Sequence, residues 1–201
     1  ADNDGTDLRY GSATYTENGR WTDAGTGFAA KKATYLGTDI PFDDGTARKI
    51  EAIQHGKKNP ATIEWRPEIP ERGMYAVYVS YKSLPQSTTA AHYTVRHLGG
   101  ESSFVVNQKM GGGTWIYLGT FEFAKGYEGY VNLTNETPEG YKFTSGSIVS
   151  ADAVRFGGGM GNIARAAKDD EEAEPLVSGM PRSAEGARYW MQWAGVSEDL
   201  F

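Results

Sequence analysis

The sequence predicts an all-β fold, an antiparallel β-sandwich of jelly-roll type. Short segments rich in β-branched and aromatic residues recur about eight or nine times, at spacings of roughly 8–20 residues. Turn residues separate these segments, and glycine accounts for 26 of 201 residues, about twice its usual ~7% share. No amphipathic helical pattern interrupts the series before residue 157. Together, these observations are typical of a sandwich.

Composition argues against several classes of function. The chain has no cysteine, so disulfides and thiolate metal sites are excluded. Its formal net charge of -6 argues against a nucleic-acid partner, which requires a basic face. Because no run approaches the ~18 apolar residues of a membrane helix, we expect no membrane span.

In the first half of the chain, the strand segments are residues 12–16, 47–53, 61–65 and 74–81. The clearest of them is 74–81, in which tyrosine or valine occupies every second position and so forms one face. Residues 47–53 are compatible with a strand or with a helical turn.

In the second half, the strand segments are residues 93–97, 104–108, 115–123, 130–134 and 148–156. Three consecutive glycines within residues 109–113 predict a turn, because glycine tolerates positive φ without steric cost. We therefore predict that residues 104–123, FVVNQKMGGGTWIYLGTFEF, form a central hairpin to which the other strands add. Gly119 is predicted to mark a β-bulge or a close backbone contact.

The C-terminal region has a different pattern. Residues 158–178 are rich in glycine and then in acidic residues, which predicts a linker. Residues 183–194 fit a short helix, with Ser183 as the N-cap and Gly195 just beyond its end. Two Trp, a Tyr and a Met in this segment require a surface to pack on, so we expect residues 179–201 to contact another domain.

Three motifs within residues 90–156, AHYTVRHLGG, the 104–123 stretch and SADAVRF, occur in this order. They resemble the golvesin/xanthan-lyase carbohydrate-binding-like domain. GRWTDAGTGF and WRPEIPERGMYAVYVSY, nearer the N-terminus, are similar to earlier parts of the same domain. The resemblance implies a galactose-binding-like jelly roll over residues 1–157.

The tail carries a second resemblance. GGGMGNIAR followed by SGMPRSAEGARYWMQWAG looks like the segment that follows this domain in secreted bacterial proteins, N-acetylmuramoyl-L-alanine amidases and putative xanthan lyases. The resemblance implies a host catalytic domain in the same chain, to which residues 179–201 would belong. It also implies a periplasmic or extracellular setting at the cell surface, with a polysaccharide or peptidoglycan glycan as partner.

The sequence lacks a recognisable catalytic constellation. Its three histidines, His55, His92 and His97, form no HExxH pair, and no GxSxG elbow is present. We therefore expect a non-catalytic domain. At the N-terminus, Asp2, Asp4 and Asp7 surround a glycine, so residues 1–10 could hold a structural calcium ion or form a solvated loop. We expect no other cofactor and no metal site elsewhere.

Aromatic side chains are the basis of a binding hypothesis, because sugars stack their apolar faces on exposed rings and bond polar groups with their hydroxyls. The ligand-binding candidates are Trp21, His92, Gln108, Trp115, Tyr117, Tyr127 and Tyr141. Trp115 could instead belong to the core, and Gln108 could make a structural hydrogen bond across the glycine turn. A second hypothesis is a structural insertion that shapes the cleft of a host hydrolase, or mediates protein contact, and binds no glycan.

Overall fold

The computed structural model describes residues 13–28 and 46–157, together with the backbone of two short strands near the C-terminus. No helix occurs in these parts of the chain. The strands are β1 Ala13–Asn18, β2 Thr22–Thr26, β3 Thr46–Glu51, β4 Thr62–Pro67, β5 Gly73–Val79, β6 Ala91–His97, β7 Gly100–Val106, β8 Ile116–Phe123, β9 Tyr130–Thr134, β10 Ile148–Ala151, β11 Val154–Phe156, β12 Asn162–Ile163 and β13 Val177–Ser178.

The strands form three sheets. Sheet I has the order β1-β4-β9-β6-β7, sheet II the order β10-β3-β2, and sheet III the order β11-β5-β8-β12-β13. Every pair is antiparallel except β12 with β8, which runs parallel. This arrangement confirms the predicted all-β, jelly-roll-type sandwich.

One hydrophobic core lies between the sheets, and strand alternation explains which side chains enter it. In sheet I, Ile63 and Trp65 of β4 and Tyr93 and Val95 of β6 are buried, while the residues between them are partly exposed. Their partners in sheet III include Val77, which like them is fully buried in the same cluster. In these strands of sheet I, the two-residue period of the sequence is therefore the period of burial, whereas Val77, Tyr78 and Val79 of β5 are all buried.

The predicted hairpin at residues 104–123 is wrong. Its first strand, β7, pairs with β6 in sheet I, whereas its second strand, β8, pairs with β5 in sheet III. Residues 107–115 carry the chain from one sheet to the other. A connection of this length is longer than the tight loops that favour direct hairpin pairing. Strand β7 therefore pairs with the preceding strand β6, and β8 pairs with β5, which lies three strands earlier in the chain.

Other local expectations have mixed outcomes. The bulge predicted at Gly119 is confirmed, because the β5–β8 register shifts between the Val77–Gly119 and Tyr78–Tyr117 pairs. Residues 47–53 form a strand, β3, over most of their length. The single strand predicted for 148–156 is instead divided into β10 in sheet II and β11 in sheet III.

The described residues include only part of the C-terminal region for which predictions were made. Strands β12 and β13 lie inside the range predicted as a linker, and β12 joins sheet III through the Asn162–Ile116 pair. The helix expected at 183–194 and the calcium alternative at residues 1–10 lie outside the described residues. The boundaries at 157 and 178 stay predictions.

Candidate functional site

A cleft of about 360 Å³ opens where three connections of the sandwich meet. These connections follow β2, follow β5, and precede β8. The residues that line the cleft are Thr26, Gly27, Phe28, Tyr81, Lys82, Ser83, Gly112 and Gly113.

Hydrogen bonds fix one wall of the cleft, where the glycine turn meets the residues after β5. The Ser83 hydroxyl donates to the Gln108 carbonyl oxygen at 2.8 Å and accepts from the Gly112 amide at 3.1 Å. The Gly113 amide donates to the Tyr81 carbonyl oxygen at 3.2 Å. A Cβ atom on Gly112 would lie 2.4 Å from the backbone nitrogen of Ser83, so this close approach requires glycine.

Phe28 also lines the cleft, and a buried carboxylate binds its backbone amide. The backbone amide of Phe28 donates to Asp152 Oδ2 at 2.9 Å, and the Ser80 hydroxyl donates to the same oxygen. Asp152 is fully buried at the break between β10 and β11. A Cβ atom on Gly27 would lie 2.6 Å from Asp152 Oδ1, so glycine lets the chain cross directly over the carboxylate.

Trp115, the residue before β8, contacts the Phe28 ring of the cleft lining. The two rings meet edge to face, with centroids 5.8 Å apart and an interplanar angle of 77°. Both side chains are partly exposed. Trp115 is thus half-buried and supports the Phe28 ring. It belongs neither to the fully buried core nor to the described residues that line the cleft.

Two of the sequence candidates face the protein interior. Gln108 is fully buried; its amide nitrogen donates to the Ser150 carbonyl oxygen at 2.7 Å, and its amide oxygen accepts from the Ser150 backbone at 2.9 Å. Its nitrogen also donates to the Tyr93 hydroxyl at 3.1 Å. Trp21 is 5% exposed, and its indole nitrogen donates to the Asn18 carbonyl oxygen at 3.3 Å. Both side chains contribute to the structure of the sandwich.

Tyr117 and Tyr141 lie apart from the cleft lining. Tyr117 is half-buried on β8, 5.4 Å from the Tyr78 ring, and its hydroxyl hydrogen-bonds with that of Thr120 at 2.7 Å. Tyr141 is half-exposed in the loop between β9 and β10, where its amide donates to the Pro138 carbonyl oxygen at 3.3 Å.

His92 and Tyr127 lie near opposite ends of sheet I, with His92 on β6 and Tyr127 in the connection between β8 and β9. Tyr127 is 46% exposed, and its carbonyl oxygen accepts from Arg66, whose guanidinium lies 4.6 Å from the centroid of the Tyr130 ring. His92 lies on β6 near the opposite end of the same sheet. Burial lowers the pKa of His92, although the nearby Glu136 carboxylate opposes this shift. The sequence candidates therefore do not converge on one site.

Comparison with known proteins places the fold in a family. Residues 9–158 match the family model of the Golvesin C-terminal domain. The chain belongs to this family. Within the Golvesin domain, the match includes every described residue that lines the cleft. The family resemblance drawn from the sequence motifs is thereby confirmed.

Two relatives extend the comparison of this Golvesin domain. It is 31% identical over 148 residues, or 72% of this chain, to a xanthan lyase from Bacillus sp. (strain GL1). It also resembles the solved structure of a Paenibacillus xanthan lyase, with 26% identity and a TM-score of 0.55 over 78% of this chain. The chain spans only 14% of the first lyase and 12% of the second.

Sequence reasoning missed the residues of the Golvesin domain that line the cleft. Phe28 ends the motif GRWTDAGTGF, where an aromatic residue after two glycines could have been recognised as a loop side chain. Lys82 and Ser83 directly follow the clearest predicted strand, so the sequence also predicts that they lie at the end of that strand. The sequence does not show which loops these residues contact, because those contacts depend on the path of residues 107–115 from one sheet to the other.

The described part of the chain also bears on metal binding and membrane insertion. Within residues 13–28 and 46–157, no three histidine or carboxylate side chains cluster in a way that could hold a metal ion. The same part of the chain has no helix with the length and apolar character needed to cross a membrane.

Proposed function

We propose that this Golvesin domain is a carbohydrate-binding accessory domain and that the cleft is its sugar site. The observation that carries the proposal is the composition of the cleft, which combines the partly exposed Phe28 ring with the hydroxyls of Thr26 and Ser83. A sugar ring stacks its apolar C–H face on an aromatic side chain and exchanges hydrogen bonds through its hydroxyls. The cleft volume of about 360 Å³ is within the ~300–1,000 Å³ range of small-ligand pockets.

The relatives support a polysaccharide-degrading parent enzyme. The matched Bacillus protein is a xanthan lyase, and most of its length lies outside the region shared with this chain. We propose a comparable arrangement here, with a host catalytic domain in the same chain and secretion to the medium or the cell surface. The relative's name favours a lyase over the amidase-like hydrolase that the tail motifs suggest.

We further propose that the domain binds glycan without cleaving it. Tyr81 is the only described cleft residue besides Lys82 with a titratable side chain. Burial raises the pKa of its hydroxyl, which donates to the Met110 carbonyl oxygen at 2.6 Å. A buried hydroxyl committed to a carbonyl is a poor general base.

Affinity measurements with xanthan and peptidoglycan test this function. We expect the wild-type domain to bind at least one of them and Phe28→Ala to weaken that binding about tenfold, because burying a phenyl ring contributes roughly 1.5–3 kcal/mol. Met74→Ala, at an exposed position of β5 outside the cleft lining, is the control and should retain wild-type affinity. Equal binding by Phe28→Ala and the wild type would place any glycan site elsewhere.

A second candidate function, contact with a host domain, is favoured by one exposed apolar pair. Met74 is 65% exposed and lies opposite Glu122 in the β5–β8 ladder. Leu98 is 45% exposed, and its backbone amide donates to the Glu122 carbonyl oxygen at 2.8 Å. In the full-length parent, the double variant Met74→Ser, Leu98→Ser should loosen the domain and increase its release by limited proteolysis, while leaving glycan affinity unchanged.

A further inference from the structure

We propose that the cleft selects sugars that carry a carboxylate and that the Lys82 ammonium group binds that carboxylate. This inference rests on the proposed glycan-binding function and specifies its ligand class. It follows from the charge, the position and the neighbours of Lys82.

The first argument is charge. Among the described residues that line the cleft, Lys82 alone carries a charge at neutral pH. No carboxylate oxygen of the described chain lies within the 4.0 Å ion-pair distance of its ammonium nitrogen. The buried carboxylate behind Gly27, that of Asp152, already accepts hydrogen bonds from the Phe28 amide and the Ser80 hydroxyl.

The second argument is position. The Lys82 side chain reaches β2, where a Cβ atom on Gly25 would lie 3.2 Å from its nitrogen. Gly25 has a φ of 80°, in the left-handed region that favours glycine. The Lys82 backbone is fixed as well, because its carbonyl oxygen accepts from the Ser150 hydroxyl at 2.6 Å. The ammonium nitrogen therefore lies close to Gly25 of β2, the residue before Thr26 of the cleft lining.

The third argument is the combination of groups. A hexuronic acid presents an apolar ring face, several hydroxyls and one carboxylate. The cleft offers the Phe28 ring for the first and the Lys82 ammonium for the third. For the second it offers the Thr26 hydroxyl and the remaining acceptor lone pair of the Ser83 hydroxyl, whose proton is donated to Gln108. An ammonium group has three donors, and its hydrogen bond to a carboxylate is about twice as strong as a neutral one. A neutral hexose would leave this group without an anionic partner.

Matched ligand pairs test the selectivity. Binding of glucuronate is compared with that of glucose, and binding of polygalacturonate with that of the same polymer after reduction of its carboxylates to alcohols. We expect the wild-type domain to bind the acidic member of each pair at least about tenfold more tightly, as a charge-assisted hydrogen bond predicts. The preference should shrink as salt concentration rises.

Variants then assign the preference to Lys82. Lys82→Gln should weaken binding of the acidic ligands about tenfold and leave the neutral ligands unchanged, whereas Lys82→Arg should keep much of the preference. Lys109→Gln, at an exposed position of the neighbouring turn outside the cleft lining, is the charge-matched control and should behave as the wild type.

The outcomes separate the inference from the function on which it rests. Equal affinity for the two members of each pair, or an equal loss in Lys82→Gln and Lys109→Gln, overturns the carboxylate proposal while Phe28-dependent binding still supports the function. Absence of binding to every acidic and neutral ligand overturns both.

Discussion

At the scale of single residues, Asp152 connects the core of the sandwich with the wall of the cleft. Its Oδ2 atom accepts from the Phe28 amide and from the Ser80 hydroxyl, at a fully buried position. The motif SADAVRF therefore contains an aspartate whose partners include a backbone amide more than a hundred residues away in the chain. The sequence indicates that such a carboxylate needs donors, but it does not identify them.

Removing this carboxylate should destabilise the domain and disturb the cleft together. Asp152→Ala leaves buried donors at Ser80 and Phe28 without their acceptor, which costs about 1–3 kcal/mol for such a group. Chemical denaturation should show this loss, and glycan affinity should fall because Phe28 is no longer fixed. Asp23→Ala is the control, since Asp23 is exposed and its carboxylate accepts from the amide of Gly25, two residues away, at 2.7 Å. Equal stability of the two variants would contradict the role given to Asp152.

His92 should make the stability of the domain depend on pH. Burial lowers the pKa of the folded-state imidazole below its ordinary value; the Glu136 carboxylate opposes the shift, and His55 reinforces it. As the pH falls below about 6.5, unfolded chains bind a proton that folded chains do not, so the free energy of unfolding decreases. Denaturation between about pH 7.5 and 5.5 should show this decrease, and His92→Gln should reduce it. A titration by NMR that gives the folded-state pKa of His92 at or above its ordinary value would contradict the prediction.

At the scale of elements, alternation in the sequence was sufficient to find the strands but not to pair them. Strands β4 and β6 were recognisable because buried and partly exposed residues alternate along them. Strand β5 was recognisable from its β-branched and aromatic residues, although Val77, Tyr78 and Val79 are all buried and do not alternate. The pairing of β7 with β8 was wrong, since adjacency in sequence is only a tendency and the choice of partner depends on the whole sheet. The same limit applies to the site, because the cleft is made by loops that only the correct pairing brings together.

The glycine turn before β8 gives a prediction at this scale. Gly112→Ala would place a Cβ atom 2.4 Å from the backbone nitrogen of Ser83. A backbone atom cannot move aside as the end of a flexible side chain can. We expect a loss of about 1–3 kcal/mol in the free energy of unfolding, as for other overpacked positions. Gly73→Ala is the matched control, because its Cβ atom would make an ordinary contact of 3.6 Å with the Tyr75 ring. A Gly112→Ala variant as stable as Gly73→Ala would show that the turn can move away from Ser83.

At the scale of the whole molecule, the described hydrophobic core lies within the sandwich. Every described residue of the core cluster, including the partly buried side chains packed against it, lies between residues 15 and 156. Beyond that point the described chain contributes only β12 and β13, and β12 meets the sandwich at the single register pair Asn162–Ile116. These strands extend sheet III at its β8 edge without a described contribution to the core.

Truncation tests whether the sandwich is an independent folding unit. A chain that ends at Gly161 lacks β12 and β13 but keeps β11, whose Val154 is buried and pairs with Val79 of β5. We expect it to keep a β-rich circular dichroism spectrum and a denaturation midpoint close to that of the full chain, because the core contacts remain. A chain that ends at Ala153 is the control: it loses β11, exposes the edge of β5 and should be strongly destabilised. If ending the chain at Gly161 unfolds it as well, the C-terminal region is part of the core and the predicted boundary at residue 157 is wrong.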